Sequence, residues 1–409
     1  MSGNIVIANE AAMPTGAPTV YDAPSCTDEC CDTWLGSESP LLPGSGMNVD
    51  SAAVSGWGLP IRMAASTGPS SMRSAPMATS RWPVYLFDGS SYETSVDISW
   101  DTPYGPFSVA RSYRSNYDAS SSSNVIQSMG PNWHLSGADM VVYKGSSEYI
   151  LFVNGHSARI FESSGGGYIS PDDGYMTLTV ASGEVTVNNL LNGREWVFYD
   201  PGSTGIATEL KGKLKWSTIR GGGTSSSNRI TYTWLPSYFG ALAGHLAYVV
   251  LPDNTKFSYS YNSNNLVSSI KVQPQGTGSN KIEAYYTYSS DFTFGAISGD
   301  VANTSDDALI QVKVRTRNTA DTNWIDRYTQ YRYERGYYLK AIYSSSSIQA
   351  IENDSLASSP ENALTKPDST VAAYASRAFT YYVDQYGVVE DVDTSGVDTI
   401  WEGGEDLEA

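Results

Sequence analysis

The chain has 409 residues, including 29 tyrosines and 37 glycines, and its 25 basic and 43 acidic side chains give a formal net charge of −18. A chain of that length can bury a sizeable core as two or three domains of about 150 residues or as one long β structure. The acidic balance argues against a nucleic-acid partner or an anionic membrane surface, both of which need a cationic footprint.

Residues 1–83 are rich in Pro, Gly, Ser and Ala without sustained periodicity and read as an irregular N-terminal segment, with 62–80 as its most linker-like part. The opening MSGNIVIANEAAMPTG lacks the basic start and apolar stretch of a secretory signal. No run approaches the roughly 18 apolar residues of a membrane span. Trp34, Trp57 and Trp82 are costly to leave in water, so parts of this segment are expected to lie in grooves of the folded body or of a partner. Cys26, Cys30 and Cys31 are the chain's three cysteines, so no disulfide framework holds the rest. Their CxxxCC spacing suits a metal, but His134, His156 and His245 lie far off in sequence, and reduced or locally paired thiols are the favoured reading.

From residue 84 to 392, short apolar runs alternate with polar residues and are bounded by turn signals about every ten residues, which predicts an all-β region. EYILFVNGHSARIF (148–161) reads as a hairpin with Asn154-Gly155 at its turn, and VTVNNLLNGREWVFYD (185–200) as another bending at Asn192-Gly193. LAYVVLPDNTKFSYSY (246–261) places a Pro-Asp-Asn turn between two further strands. Three successive hairpins make a meander. Tyrosines then recur in FSYSY (257–261), AYYTY (284–288), YRYERGYYLKAI (331–342) and FTYYVDQYGVVEDV (379–392). Tyrosines two apart share one face of a strand, so each unit lays a row of rings against its neighbour. LIQVKVRTRN reads as part of an insertion before the third unit, and 344–370 as a Ser/Ala/Pro-rich loop before the fourth.

These units resemble the Rhs/YD-repeat family, whose repeats read approximately YxYDxxGxLxxI. The matches are FSYSYNSNNLVSSI (257–270), YRYERGYYLKAI (331–342) and TYYVDQYGVVEDV (380–392). Upstream, PFSVARSYRSNYD (106–118) resembles the family's FxxxRxYxS strand and MGPNWHL (129–135) its GxGW-like element, ahead of the "NG" hairpins. The resemblance spans roughly residues 90–392. It implies a β ribbon spiralling into a shell, as in bacterial proteins that enclose a toxin or serve at the cell surface. The repeat aspartate is replaced by Ser or Asn in the first unit and by Glu334 in the second, and the family's self-cleaving DPxGxxGG core and effector domain have no counterpart in this sequence. Neither autoproteolysis nor toxicity is therefore carried over.

The sequence offers no catalytic or cofactor-binding constellation. Nucleophilic catalysis needs a nucleophile beside an oriented base, and three scattered histidines without a GxSxG elbow do not supply one. Gly221-Gly222-Gly223 lacks the trailing lysine and helix of a phosphate cradle. A glycosidase would need two convergent carboxylates, for which sequence carries no signal. One candidate metal site is the twelve-residue run from Asp391 to Glu402, whose Asp391, Asp393, Ser395 and Glu402 stand at calcium-loop positions with Gly396 at the sixth. The competing reading places this run at the turn of the last YD-like hairpin, in an acidic tail from 393 to 409. Asp384 to Ala409 holds nine acidic residues and no lysine or arginine.

The expectation is thus a non-enzymatic, all-β protein: meandering antiparallel hairpins in a twisted YD-repeat-like ribbon or partial shell that acts by encapsulation or self-assembly. It is expected to be secreted or at the cell surface, as a homo-oligomer or within a larger shell, without nucleic acid or membrane insertion. Two alternatives are a carbohydrate- or protein-binding adhesin module and a fragment of a larger toxin-delivery cocoon.

Overall fold

The structure is a computed structural model; it describes residues 92–395 apart from 104, 115–127, 154–157, 172–173, 219–227, 277, 292–306, 318–322, 334–337 and 384–388. The N-terminal segment with its three cysteines, the Asn154-Gly155 turn, Gly221 to Gly223 and Glu402 lie outside the described residues. The first three strands, β1 (Tyr92–Thr102), β2 (Gly105–Arg114) and β3 (Trp133–Leu135), form an antiparallel sheet of their own.

Eighteen further strands follow as one antiparallel meander, each paired with the next in sequence. They are β4 (Val141–Lys144), β5 (Glu148–Phe152), β6 (Ala158–Ser164), β7 (Gly167–Ile169), β8 (Met176–Ala181), β9 (Glu184–Asn189), β10 (Arg194–Tyr199), β11 (Leu214–Thr218) and β12 (Arg229–Trp234). The second half comprises β13 (Leu246–Val250), β14 (Lys256–Tyr261), β15 (Val267–Gln273), β16 (Ile282–Tyr288), β17 (Leu309–Thr316), β18 (Ile325–Tyr333), β19 (Leu339–Tyr343), β20 (Arg377–Val383) and β21 (Val389–Ser395).

The ribbon curls back once on itself. Val141 of β4 bridges Lys213, just ahead of β11, and the Val142 N–H donates to the Gly212 carbonyl at 2.9 Å. Gly212 has φ +75°, and a Cβ there would lie 2.3 Å from the Val142 carbonyl oxygen, so only glycine allows this approach. That contact ends the first turn of the spiral at β10, and the later strands continue past it. Among the described residues no pairing joins β21 to β4, so the ribbon stays open and is not a closed barrel.

The tyrosine pattern acquires a register in three dimensions. In β12, β14, β16 and β18 the strand pairing shifts by a bulge just before the last residue, which is Trp234, Tyr261, Tyr288 and Tyr333 respectively. Each of these rings donates back to the carbonyl of the first residue of the preceding strand: Trp234 to Leu214 (2.7 Å), Tyr261 to Leu246 (2.7 Å), Tyr288 to Val267 (2.8 Å) and Tyr333 to Leu309 (2.5 Å). Two residues earlier, Tyr232, Tyr259, Tyr286 and Tyr331 pair across the hairpin with Val249, Ile270, Val312 and Ile342, all buried. The unit is therefore Y-x-(Y/W), a loop, then (L/V)-x-x-(V/I). In β20 and β21 the same register recurs as Tyr381 opposite Val392 and a shift at Val383. A bulge bends its strand and adds right-handed twist, so one bulge per hairpin at the same end curls the ribbon in a constant sense.

Three expectations are corrected. LIQVKVRTRN is not part of an insertion ahead of a repeat: residues 309–316 are β17, the return strand of the hairpin that AYYTY begins. The presumed loop at 344–370 contains the helices α1 (Ser345–Asn353), α2 (Pro360–Leu364) and α3 (Asp368–Val371). Ser344 and Ser359 cap the first two by accepting from Ser347 N–H and Asn362 N–H, and Ile348, Ile351, Ala363 and Val371 pack with Ala341 and Tyr343 as a second small core. At the second "NG" turn only Gly193 takes positive φ (+66°), while the Asn192 side chain accepts from the Arg194 N–H. Finally, Asp391, Asp393 and Ser395, the first half of the calcium-loop run, lie on β21, paired with Tyr382, Thr380 and Ala378, while its second half, from Gly396, lies outside the described residues.

The ring-to-carbonyl bonds are expected to stabilise the fold individually. Tyr288→Phe should lower unfolding stability by about 1–2 kcal/mol in urea titration without changing the slope with denaturant.

Candidate functional site

The β1–β3 sheet packs against the inward face of the ribbon. Trp100, Phe107, Val109, Tyr113, Trp133 and Leu135 share one continuous core with the inward residues of the ribbon. Phe107 meets Phe257 of β14 edge-on at 4.9 Å between ring centres, and Trp133 lies 4.9 Å from Tyr331 of β18. The two segments flagged as family-like in sequence are thus those that touch the repeat tyrosines.

Arg111 of β2 is the centre of this contact and is 1% exposed. Its Nε lies 2.9 Å from both oxygens of Asp97 on β1, its Nη1 donates to the Tyr331 hydroxyl, and its guanidinium sits 5.1 Å from the Trp133 ring centre and 5.0 Å from that of Tyr331. The Tyr286 hydroxyl of β16 donates to Asp97 at 2.9 Å, so one buried carboxylate joins the inner sheet to the ribbon. Burial acts to lower the Arg111 pKa, but the facing Asp97 outweighs it and holds the guanidinium firmly charged. Burial pushes the Asp97 carboxyl up, opposed by Arg111 and the Tyr286 hydroxyl.

Further clasps surround this pair. Trp133 Nε1 donates to the Tyr333 hydroxyl at 2.8 Å, and the Leu339 N–H of β19 donates to the Tyr113 hydroxyl at 2.8 Å. The Val267 N–H of β15 donates to the Ser128 carbonyl at 2.8 Å, Trp100 Nε1 reaches Asp253 at 3.3 Å, and Arg377 of β20 pairs with Glu93 of β1. Gly130, at φ +81°, fits only because it has no Cβ, which would stand 2.2 Å from the Asp307 carbonyl oxygen.

Beneath β3 lies a second buried polar cluster. Asp139 accepts from the Leu135 N–H (2.6 Å) and the Ser128 hydroxyl (2.8 Å), and His134 Nδ1 is 3.9 Å from its carboxylate. Burial raises the Asp139 pKa to about 6 and lowers that of His134 to about 3. Burial also lowers Lys213 to about 8, partly opposed by Asp139. These groups are enclosed by apolar side chains rather than set around an open cleft, an arrangement suited to fixing the inner sheet in place.

His245 is also buried, and His156 lies outside the described residues. Among the described residues no group of three or more His, Cys, Asp or Glu is gathered as metal ligands. A surface cleft of about 430 Å³ over β10–β12 is lined by Tyr199, Lys215, Trp216 and Arg229, with Arg229 stacked 3.8 Å over Trp216. Among the described residues most aromatic rings are buried; Tyr238 and Phe239, in the loop after β12, are exposed. Sequence reading identified the Arg111 strand by resemblance but missed Asp97, Asp139 and Lys213, which carry no local pattern.

No protein-family model matches the chain, and no curated protein matches it. Among solved structures, a porin-like protein from Bacteroides uniformis aligns with 75% of this chain and 89% of its own, at 14% identity and a TM-score of 0.20. A superposition that loose carries no argument about fold or activity.

Two outcomes are expected. Arg111→Met leaves a buried carboxylate unpaired and should cost about 3–5 kcal/mol, whereas adding Asp97→Asn should recover part of that loss in a double-mutant cycle followed by urea unfolding. His134 and Asp139 should act on stability with opposite sign. A histidine kept neutral loses stability for the fold as pH falls from 6.5 toward about 3, because only the unfolded chain takes up the proton. A carboxyl raised from 3.8 to about 6 loses it as pH rises through that window, because only the unfolded chain gives the proton up. Relative to the unaltered chain, His134→Gln should therefore tilt the stability profile toward acid and Asp139→Asn away from it, read as denaturation midpoint against pH.

Proposed function

We propose that this chain is a non-enzymatic structural protein of the Rhs/YD-repeat kind, which wraps polypeptide inside a curled β ribbon and self-associates at the cell surface or after secretion. The observation that supports this reading best is the clasp around Arg111. A ribbon whose repeat tyrosines Tyr286, Tyr331 and Tyr333 hydrogen-bond a separate sheet threaded through its interior has the construction of a wrapper. The polar groups with displaced pKa values are buried among core side chains, where they serve packing and orientation better than turnover. One piece of a larger cocoon would wrap in the same way, with its own β1–β3 sheet as the innermost layer.

Self-association follows from an open ribbon. Among the described residues β21 pairs on one side alone, with β20, and such an edge invites further contacts. Light scattering and electron microscopy of the whole purified chain should show concentration-dependent assemblies. A strictly monomeric species at high concentration would remove this part of the reading.

A further inference from the structure

The outer face of β15–β18 carries a charge balance opposite to that of the whole chain. Register partners on successive strands line up in rows across a sheet. One row runs Lys271, Glu283, Arg315, Asp326, each the cross-strand partner of the next. Beside it run Tyr285, Lys313 and Tyr328. In a third, the Arg317 N–H donates to the Lys281 carbonyl at 3.1 Å. The alternate residues Val272, Ile282, Ala284 and Val312 are buried in the core, which puts these three rows on the outside.

The face holds five cations, Lys271, Lys281, Lys313, Arg315 and Arg317, against two acids, Glu283 and Asp326. Asp326 is shared by Lys313 at 2.8 Å and Arg315 at 3.0 Å. Among the described residues no acid lies within 4.0 Å of Lys271, Lys281 or Arg317 as an ion-pair partner. Arg315 and Arg317 both stack on Trp324, at 4.9 and 5.0 Å, which holds their heads in a set position. The three rows sum to +3, and with Glu361, which Tyr328 hydrogen-bonds at 3.4 Å, the patch is +2 on a chain of net charge −18.

The same sequence contains its complement. Nine acids and no lysine or arginine lie between Asp384 and Ala409. Glu390, Asp391 and Asp393 fall on β21, and like charges on an edge strand oppose pairing of two such edges. The helices α1–α3 pack on the outer side of β18 and β19, and Ser345 of α1 and Glu361 of α2 hydrogen-bond Tyr328 at the edge of the basic rows. We propose that the basic face of β15–β18 docks the acidic C-terminal stretch of a second copy, giving a head-to-tail contact that repeats along an assembly. This inference rests on the self-association reading and names its interface.

A charge swap on the whole chain tests it. Variant one carries Lys271→Glu, Lys281→Glu and Arg317→Glu, which makes its patch acidic; variant two carries Asp398→Lys, Glu402→Lys, Glu405→Lys, Asp406→Lys and Glu408→Lys, which takes its nine-acid stretch to a net positive charge; circular dichroism checks that both keep the β fold. The unaltered chain should assemble at low salt and lose roughly tenfold or more in association at about 1 M salt, where the screening length is about 3 Å. Each variant alone should stay dispersed, because its patch and tail then carry like charges, and an equimolar mixture should assemble again. Assembly of either variant alone to the unaltered extent, or a mixture that stays dispersed, overturns the docking proposal while leaving self-association standing. Crosslinks between tail and patch found only within one copy, in a mixture of isotopically heavy and light chains, overturn it as well. An unaltered chain that is monomeric under every condition ends the self-association reading itself.

Discussion

A ring hydrogen that reaches back across one strand to a leading carbonyl sets the geometry of the later ribbon. Trp234, Tyr261, Tyr288 and Tyr333 each occupy the end of a strand, directly after a bulge, and each satisfies the carbonyl of a residue that begins the strand before. Because the acceptor is the backbone, the bond specifies register without requiring a particular side chain opposite. An indole serves as well as a phenol, so the unit at Trp234 escapes a search for tyrosine pairs alone. A carbonyl at the rim of a core is costly to leave unpaired, and the ring brings both the donor and a large apolar body to cover it.

Once the ribbon curls, its interior must be filled, since apolar rings lining an empty shell would face water. The inner sheet meets that need and brings buried charge with it. Removing Arg111 and Asp97 from water is expensive, and their attraction offsets the cost only because Tyr331, Tyr286 and the flanking rings complete the shell of contacts. Such a pair adds little net stability. What it supplies is position: a guanidinium has one comfortable place among two rings, a carboxylate and a phenol, so the sheet has one seating in the ribbon. The backbone approaches at Gly130 and Gly212 play the same part in the places where chain must pass chain closely.

Charge is therefore divided by side. Inside, isolated polar groups are locked by burial, with His134 held neutral; outside, cations of β15–β18 gather over aromatic rings while acids concentrate toward the C-terminus. A net charge of −18 keeps copies apart at long range, and within a screening length of about 8 Å at physiological salt local patches decide which surfaces meet.

What the sequence by itself determined is the strand content, because a period of two with turn residues between runs is a property of near neighbours. FSYSY, AYYTY and YRY are legible as strands, but the return at LIQV, separated from AYYTY by a long loop, reads as part of an insertion because that separation hides the pairing. At Asp391, Asp393 and Ser395 alternate oxygen side chains suit a calcium loop and a strand equally well, and only the pairing of β20 with β21 places these three on a strand. The helices at 345–371 were readable from Ser344 and from Ser359-Pro360 as caps, yet the composition of the stretch masked them. Tertiary structure alone decided that Arg111 is buried and not a surface charge, that the ribbon closes its first turn at Gly212, and that β1–β3 lie inside. Those outcomes join residues far apart in the chain, Val142 with Gly212, Trp133 with Tyr333 and Arg111 with Tyr331. Local alternation says which face of a strand is apolar, while only the folded path says what that face will meet.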